Sequence, residues 1–95
     1  MRTRARTDMN QTEIVVALRR CGAHVLHLHQ IGKGCPDILV KLPNGELHLC
    51  EIKNGKRRWK LEQDQEIFHA EWGPIAILDS VESAVDWINA TRRIA

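Results

Sequence analysis

Apolar and polar positions recur with different periods along this chain, and the changes of period mark its elements. Ile14, Ala17, Leu18 and Cys21 return at helical spacing. They predict a helix from Asp8 to Cys21, opened by a capping-box variant of Asn10 with Glu13 and ended by Gly22. His24-Val25-Leu26-His27-Leu28-His29 alternates and predicts a strand with Leu26 and Leu28 inward. Gln30-Ile31-Gly32-Lys33-Gly34 is a connector. Its glycines serve either as turn punctuation or to let backbone approach DNA or a site. Two apolar runs, 37–42 and 46–53, predict a hairpin. Leu61, Gln65, Phe68 and Trp72 recur at i, i+4, i+7 and i+11 and predict a helix from Leu61 to Trp72, broken by Gly73-Pro74. Pro74-Ile75-Ala76-Ile77-Leu78 is a short apolar strand with the content of a central one. Asp79 with Glu82 opens a last helix, Val81 to Arg92, packing Val81, Ala84, Val85 and Ile88, with Trp87 at its rim. The order helix, three strands, helix, strand, helix is that of an α/β domain with a helix-flanked mixed sheet.

The hairpin can be given a register. Pro43 and Asn44 suit the centre of a type I turn, and Gly45 supplies the positive φ of a three-residue loop with a bulge. Leu42 then lies opposite Glu46, Leu39 opposite Leu49, and Asp37 opposite Glu51. Opposed residues share a face, as does Lys53 two residues on. Asp37, Glu51 and Lys53 are expected to converge. A two-residue loop at Asn44-Gly45 shifts the register by one and turns Asp37 to the other face.

Convergence of two carboxylates raises the pKa of each unless a cation lies between them. Oxygen ligands with retained waters suit Mg²⁺, which polarises a phosphoryl oxygen and acidifies a bound water. Lys53 beside it is placed to orient that water or to stabilise charge on the phosphate. The alternative is a surface hairpin in which Asp37 and Lys53 merely pair. Acids that interrupt or end apolar runs are poorly placed for solvation.

Other chemistry is local. Counting from Lys53, five of the eight residues to Lys60 are cationic, with Trp59 among them. Such a loop suits a phosphate backbone, and Trp59 either stacks on a base or tucks onto the core. Lys33, Lys56, Arg57, Arg58, Trp59 and Lys60 are the DNA-binding candidates. His27 and His29 have a spacing that could hold metal, but no third ligand completes a zinc set. They read better as solvent-facing or phosphate-neighbouring. Gln65 is an amide on an apolar stripe, which must find partners if buried. Gln63 lies off that stripe.

The 95 residues amount to one domain, 8–95, after a basic arm, 1–7, carrying Arg2, Arg4 and Arg6. A chain of this size buries about 60–65% of its unfolded surface, enough for one core. A formal charge of +2 says little about partners. Three cysteines, Cys21, Cys35 and Cys50, form neither a disulfide framework nor a thiolate zinc pattern. No run has transmembrane length and no signal peptide is visible. A cytoplasmic setting, in a bacterium or a phage-infected cell, is expected, with no membrane partner.

Gly34-x-Pro36-Asp37 followed by Glu51-Ile52-Lys53 resembles the PD-(D/E)xK nuclease superfamily. With the short first helix and the later Gln65, the chain resembles the small VRR-NUC domains common in phage genomes, over roughly residues 10 to 88. The resemblance implies a restriction-endonuclease-like αβββαβ core, a mixed sheet flanked by helices with a C-terminal helix. It implies a Mg²⁺-dependent endodeoxyribonuclease, with Mn²⁺ expected to substitute, leaving 5′-phosphate and 3′-hydroxyl ends. Asp37, Glu51 and the Ile52 carbonyl would hold the metal. Lys53 would handle the attacking water, and Gln65, in the family pattern Leu61…Gln65…Phe68, would hold the geometry. The family carries a Glu on its first helix that approaches the metal. Glu13 matches it, unless it only caps. Homodimers are frequent in the family, and Trp72 or Trp87 could serve such an interface. The short connector from His29 to Pro36 leaves little room for a specificity element, so recognition of branched, junction or nicked DNA is expected over sequence. The alternatives are a non-catalytic nucleic-acid-binding module and a nuclease subunit of a larger phage or restriction assembly.

Overall fold

The computed structural model describes residues 3–56 and 58–94. In chain order these form α1 (Thr3–Arg20), β1 (His24–His27), β2 (Ile38–Lys41), β3 (Leu47–Ile52), α2 (Gln63–Trp72), β4 (Ala76–Leu78) and α3 (Val81–Ile94). The strands make one mixed sheet in the order β1-β2-β3-β4, antiparallel except for the β3–β4 pair. This is the α/β class expected.

The hairpin register is the one the turn dictates. Leu39 pairs with Leu49 and Ile38 with Cys50. Leu42 N donates to Glu46 O at 2.8 Å and Gly45 N to Leu42 O at 2.8 Å, closing a loop of Pro43, Asn44 and Gly45, with Gly45 at φ 95. Alternation then divides the sheet. Ile38, Val40 and Cys50 point to one face, where they form a core with Ile14, Leu18, Ala84 and Ile88 of α1 and α3. Asp37, Leu39, Leu49 and Glu51 point to the other. Among the described residues, α2 is the helix that reaches that second face, through Gln65, and it has no buried residue.

Helix α1 starts at Thr3 rather than Asp8 and takes in much of the stretch expected to be an arm; Met1 and Arg2 lie outside the described residues. Nothing in Thr3–Thr7 breaks a helix, and Asn10 is not the cap. Its Nδ2 donates instead to the Lys53 main-chain oxygen at 2.8 Å. The C-terminus follows expectation. Gly22, at φ 95, and Ala23 donate to the carbonyls of Arg19 and Leu18, the paired bonds of a Schellman motif.

Three further expectations are corrected. In β1 the phase is inverted: Leu26 is 59% exposed. It pairs with Leu39 on the thinly covered face, while Val25 pairs with buried Val40 on the core face. His27, of the same phase as Val25, stays exposed at the end of the strand, where its ring is bonded by Gln11. Strand β4 is an edge strand, not a central one. Its apolar content answers to α3, which packs on it, and not to pairing on both sides. The cap of α3 is Ser80 rather than Asp79. Ser83 N donates to Ser80 Oγ at 3.0 Å, and Ser83 Oγ accepts from Asp79 N and Ser80 N. Asp79 is held upstream, where its carbonyl accepts from Gly55 N at 2.9 Å.

Candidate active site

Asp37 stands just before β2, its carbonyl still accepting from Leu28 N at 2.8 Å on the β1 side. Its Oδ2 accepts a 2.8 Å bond from Ile52 N and so takes the place of a main-chain carbonyl at the end of β3. Glu51, one residue back, turns its side chain to the same face and is 2% exposed. Lys53 follows on that face, its main-chain N held by Leu78 O of β4 at 3.0 Å. Its ammonium lies 3.5 Å from Glu51 Oε2, with the two side chains 15% and 3% exposed. The three groups expected to converge do so.

Gln65 locks them together from α2. Its Nε2 donates to Glu51 Oε2, 2.6 Å apart, and its Oε1 accepts from Lys53 Nζ and from Glu62 N, each at 2.9 Å. Three of its four hydrogen-bonding positions are filled. This answers the question posed by an amide on an apolar stripe. Its seat depends on Gly34. A Cβ at that residue, which has φ +81, would stand 2.3 Å from the Asp64 main-chain oxygen and 3.0 Å from Gln65 N. The connector's glycine thus serves close approach of backbone to the first turn of α2.

Two acids so placed cannot both ionise comfortably. Burial first, and the charge of Asp37 next, push the Glu51 carboxyl up to about 7. Burial raises Asp37 too, against the Ile52 N–H bond and the Lys53 charge, which favour its ionised form. Glu51 Oε1 is buried and has no hydrogen-bond partner among the described residues. The neighbouring Cys35 thiol is raised by burial and by the charges of Glu51 and Asp37, and Cys50 in the core is pushed to about 12 by burial. No disulfide joins the three cysteines.

Glu13 is not part of this group. It is exposed on α1, in a groove it shares with Met9, Asn10, Asn54, Lys56 and Glu82. Helix α1 packs through Ile14, Val15 and Leu18 on the core face, so the spacing that buries Gln11 leaves Glu13 turned away. Among the described residues, no three His, Cys, Asp or Glu side chains converge on one point. The buried polar side chain of α1 is Gln11, 6% exposed, 2.9 Å from His27 Nδ1. His29, its ring 6.2 Å from that of His27, contributes charge that favours ionised Asp37. Sequence patterning gave no signal for Gln11, because one polar residue at the start of a stripe looks like its edge.

The basic candidates are exposed. Lys33 lies in the connector beside Asp64, Phe68 and Glu71 of α2. Lys56, Arg58 and Lys60 are solvent-facing in the loop between β3 and α2, with Trp59 41% exposed; Arg57 lies outside the described residues. Trp72 is 62% exposed and stacks on Phe68 at 5.6 Å. Trp87 is half-buried against the core, edge-on to His48.

No protein-family model matches the chain, and no curated protein does. Among solved structures, one described as a VRR_NUC domain is similar, with a TM-score of 0.63 and 21% identity over 87% of this chain and 94% of that one. No helix among the described residues is long and apolar enough to cross a membrane. The order of elements, the register that joins Asp37 to Glu51 and this likeness agree: the chain has the fold of a VRR-NUC domain.

Proposed function

We propose that the protein is a Mg²⁺-dependent endodeoxyribonuclease that hydrolyses phosphodiester bonds and reads DNA shape, at branches, junctions or nicks, more than sequence. The observation that supports this most is the buried Asp37–Glu51 pair with its unpartnered Oε1 beside Lys53. A hard cation with oxygen ligands would relieve both the repulsion and the orphaned oxygen. Asp37, Glu51 and the Ile52 carbonyl are the groups that would hold it. Two carboxylates with waters and substrate phosphate are an ordinary Mg²⁺ set, so Glu13 is not needed. Once bound, the ion would polarise the phosphoryl group and acidify a water.

The chain's own groups do the rest. The Lys53 ammonium donates a hydrogen bond that orients the attacking water in line with the leaving oxygen, and it stabilises negative charge developing on the phosphate. Gln65 fixes the ammonium and Glu51 relative to each other, so neither needs to reorganise during reaction. The loop from Lys56 to Lys60 meets the phosphate backbone through Lys56, Arg58 and Lys60, with Lys33 of the connector beside α2 as a further cation.

Cutting both strands takes two copies. Leu26, Leu39, Leu47 and Leu49 share the α2 side of the sheet, and Leu26, Leu47 and Trp72 are each more than half exposed. That apolar surface supports a homodimer, and light scattering that gives a one-chain mass at working concentration would count against it.

A cleavage panel tests the main reading: linear duplex, single strand, flap and four-way junction, each with Mg²⁺, Mn²⁺ or EDTA. Cleavage of branched substrates with either metal and none with EDTA is expected. Salt-sensitive binding with no cleavage under any condition would move the assignment to a non-catalytic binding module. Activity that returns only with a second protein would make the chain a subunit of a larger assembly.

A further inference from the structure

Within its helical span α2 turns three half-buried side chains toward the sheet: Gln65, Phe68 and His69. His69 stands one turn beyond Gln65, on the same face. Its Nε2 is buried and has no hydrogen-bond partner among the described residues. Burial, and then the charge of Lys53, hold its pKa below the ordinary histidine value, which keeps the imidazole neutral.

Lys53 has the complementary surplus. An ammonium offers three donors. One goes to Gln65 Oε1 at 2.9 Å and a second faces Glu51 Oε2 at 3.5 Å. The third meets no acceptor among the described residues. A neutral imidazole has one bare ring nitrogen, which accepts. The spare donor is held by Gln65, the spare acceptor stands one helical turn further along the same face, and the Lys53 charge is felt at that ring. Buried polar atoms in native proteins are almost always matched, by protein or by an ordered water.

We propose that His69 is a positioning residue for Lys53, its Nε2 accepting the ammonium's third hydrogen bond through one bridging water. Gln65 and His69, a turn apart, then fix the direction of the ammonium from two sides. This would matter most with a cation on Glu51: the donor that faces Glu51 Oε2 at 3.5 Å would then be freed for the attacking water, while Gln65 and the bridged His69 keep the other two. The inference rests on the reading of Lys53 as the group that orients the attacking water.

The test compares the parent with His69→Phe and His69→Gln, with His69→Leu in place of Phe if that ring does not fit. Glutamine reaches about as far as Nε2 and offers a carbonyl acceptor; phenylalanine fills the space and offers none. Two quantities are read: steady-state cleavage of the substrate that the parent cuts best, and the ¹H–¹⁵N signal of the Lys53 ammonium at low temperature. That signal survives only while its protons exchange slowly. His69→Phe should lower kcat about tenfold at unchanged KM, the cost of one positioned hydrogen bond, and lose the ammonium signal. His69→Gln should recover most of both, and all proteins should melt within a few degrees of one another. The inference is overturned if the phenylalanine variant keeps rate and signal, or if glutamine does no better than phenylalanine. Should the parent cut nothing, the nuclease reading fails, and the ammonium signal across the three proteins still decides whether His69 holds Lys53.

Discussion

The two faces of the sheet are built on opposite principles. The face under α1 and α3 is largely apolar: Ile14, Leu18, Ile38, Val40, Cys50, Ala84 and Ile88 are at most trace-exposed. The face under α2 is held by polar contacts. That helix buries no residue and reaches the sheet through the Gln65 amide, while Leu26 and Leu47 stand more than half exposed. Cohesion belongs to one face and the candidate site to the other, so stability and the proposed activity should respond to different substitutions.

The sharpest separation comes from Glu51→Gln. On the proposed reading it should lower cleavage by more than about 10³-fold, since the charge that would hold the cation is gone. The melting temperature in EDTA at pH 8 should stay level or rise, because a buried unpartnered carboxylate has been removed. A variant that cut DNA like the parent would end the active-site assignment. On the other face, Ile38→Ala should cost about 2–5 kcal/mol in urea denaturation and leave the rate of the folded fraction near that of the parent. Gly34→Ala joins the two effects. With φ +81 and the Asp64 carbonyl in the way, it should cost more than about 1 kcal/mol and lower cleavage as well, because α2 carries Gln65.

The pH dependence has a definite sign. Folding raises the Glu51 carboxyl from 4.5 to about 7, so the native state holds that proton more firmly than the unfolded chain. The stabilising contribution is full below about 4.5 and is lost as pH rises through about 7. His69, with a lowered pKa, acts in the opposite direction. The difference in melting temperature between parent and Glu51→Gln, in EDTA, isolates the carboxyl and should fall across that window. Mg²⁺ should restore the parent above pH 7 and leave the variant unchanged. The smallest effect is expected at Leu26→Thr, within about 0.5 kcal/mol for an exposed strand position. A loss as large as that of Ile38→Ala would return Leu26 to the core and undo the contrast.

What the sequence made legible follows the same division. The hairpin register could be read because Pro43, Asn44 and Gly45 suit a three-residue loop, which brings Asp37 to Glu51; the two-residue loop that Asn44-Gly45 also allowed is excluded by the Leu42 to Glu46 bond of the folded chain. Gln65 could be read because an amide breaks an apolar stripe. The phase of β1 could not, since Val25 and Leu26 are both apolar and the deciding contact, Gln11 to His27, joins residues on different elements. Asn10 misled for a similar reason: a side chain suited to capping found a carbonyl 43 residues away. Glu13 looked right by type and failed by angle around the helix. His69 left no trace in the pattern, because its isolation is a property of the folded enclosure.

The bond from Ile52 N–H to the Asp37 side chain has a practical corollary for dissecting the site. This acid doubles as the last rung of the β2–β3 ladder, so Asp37→Ala strips a strand end of its terminator along with a proposed ligand, and Ile52, whose carbonyl is a third ligand candidate, should fray with it. Asparagine keeps the rung while deleting the charge. Of the two acids, the one at position 51 can be silenced alone; the one at 37 cannot be truncated without also loosening the scaffold on which its neighbours stand.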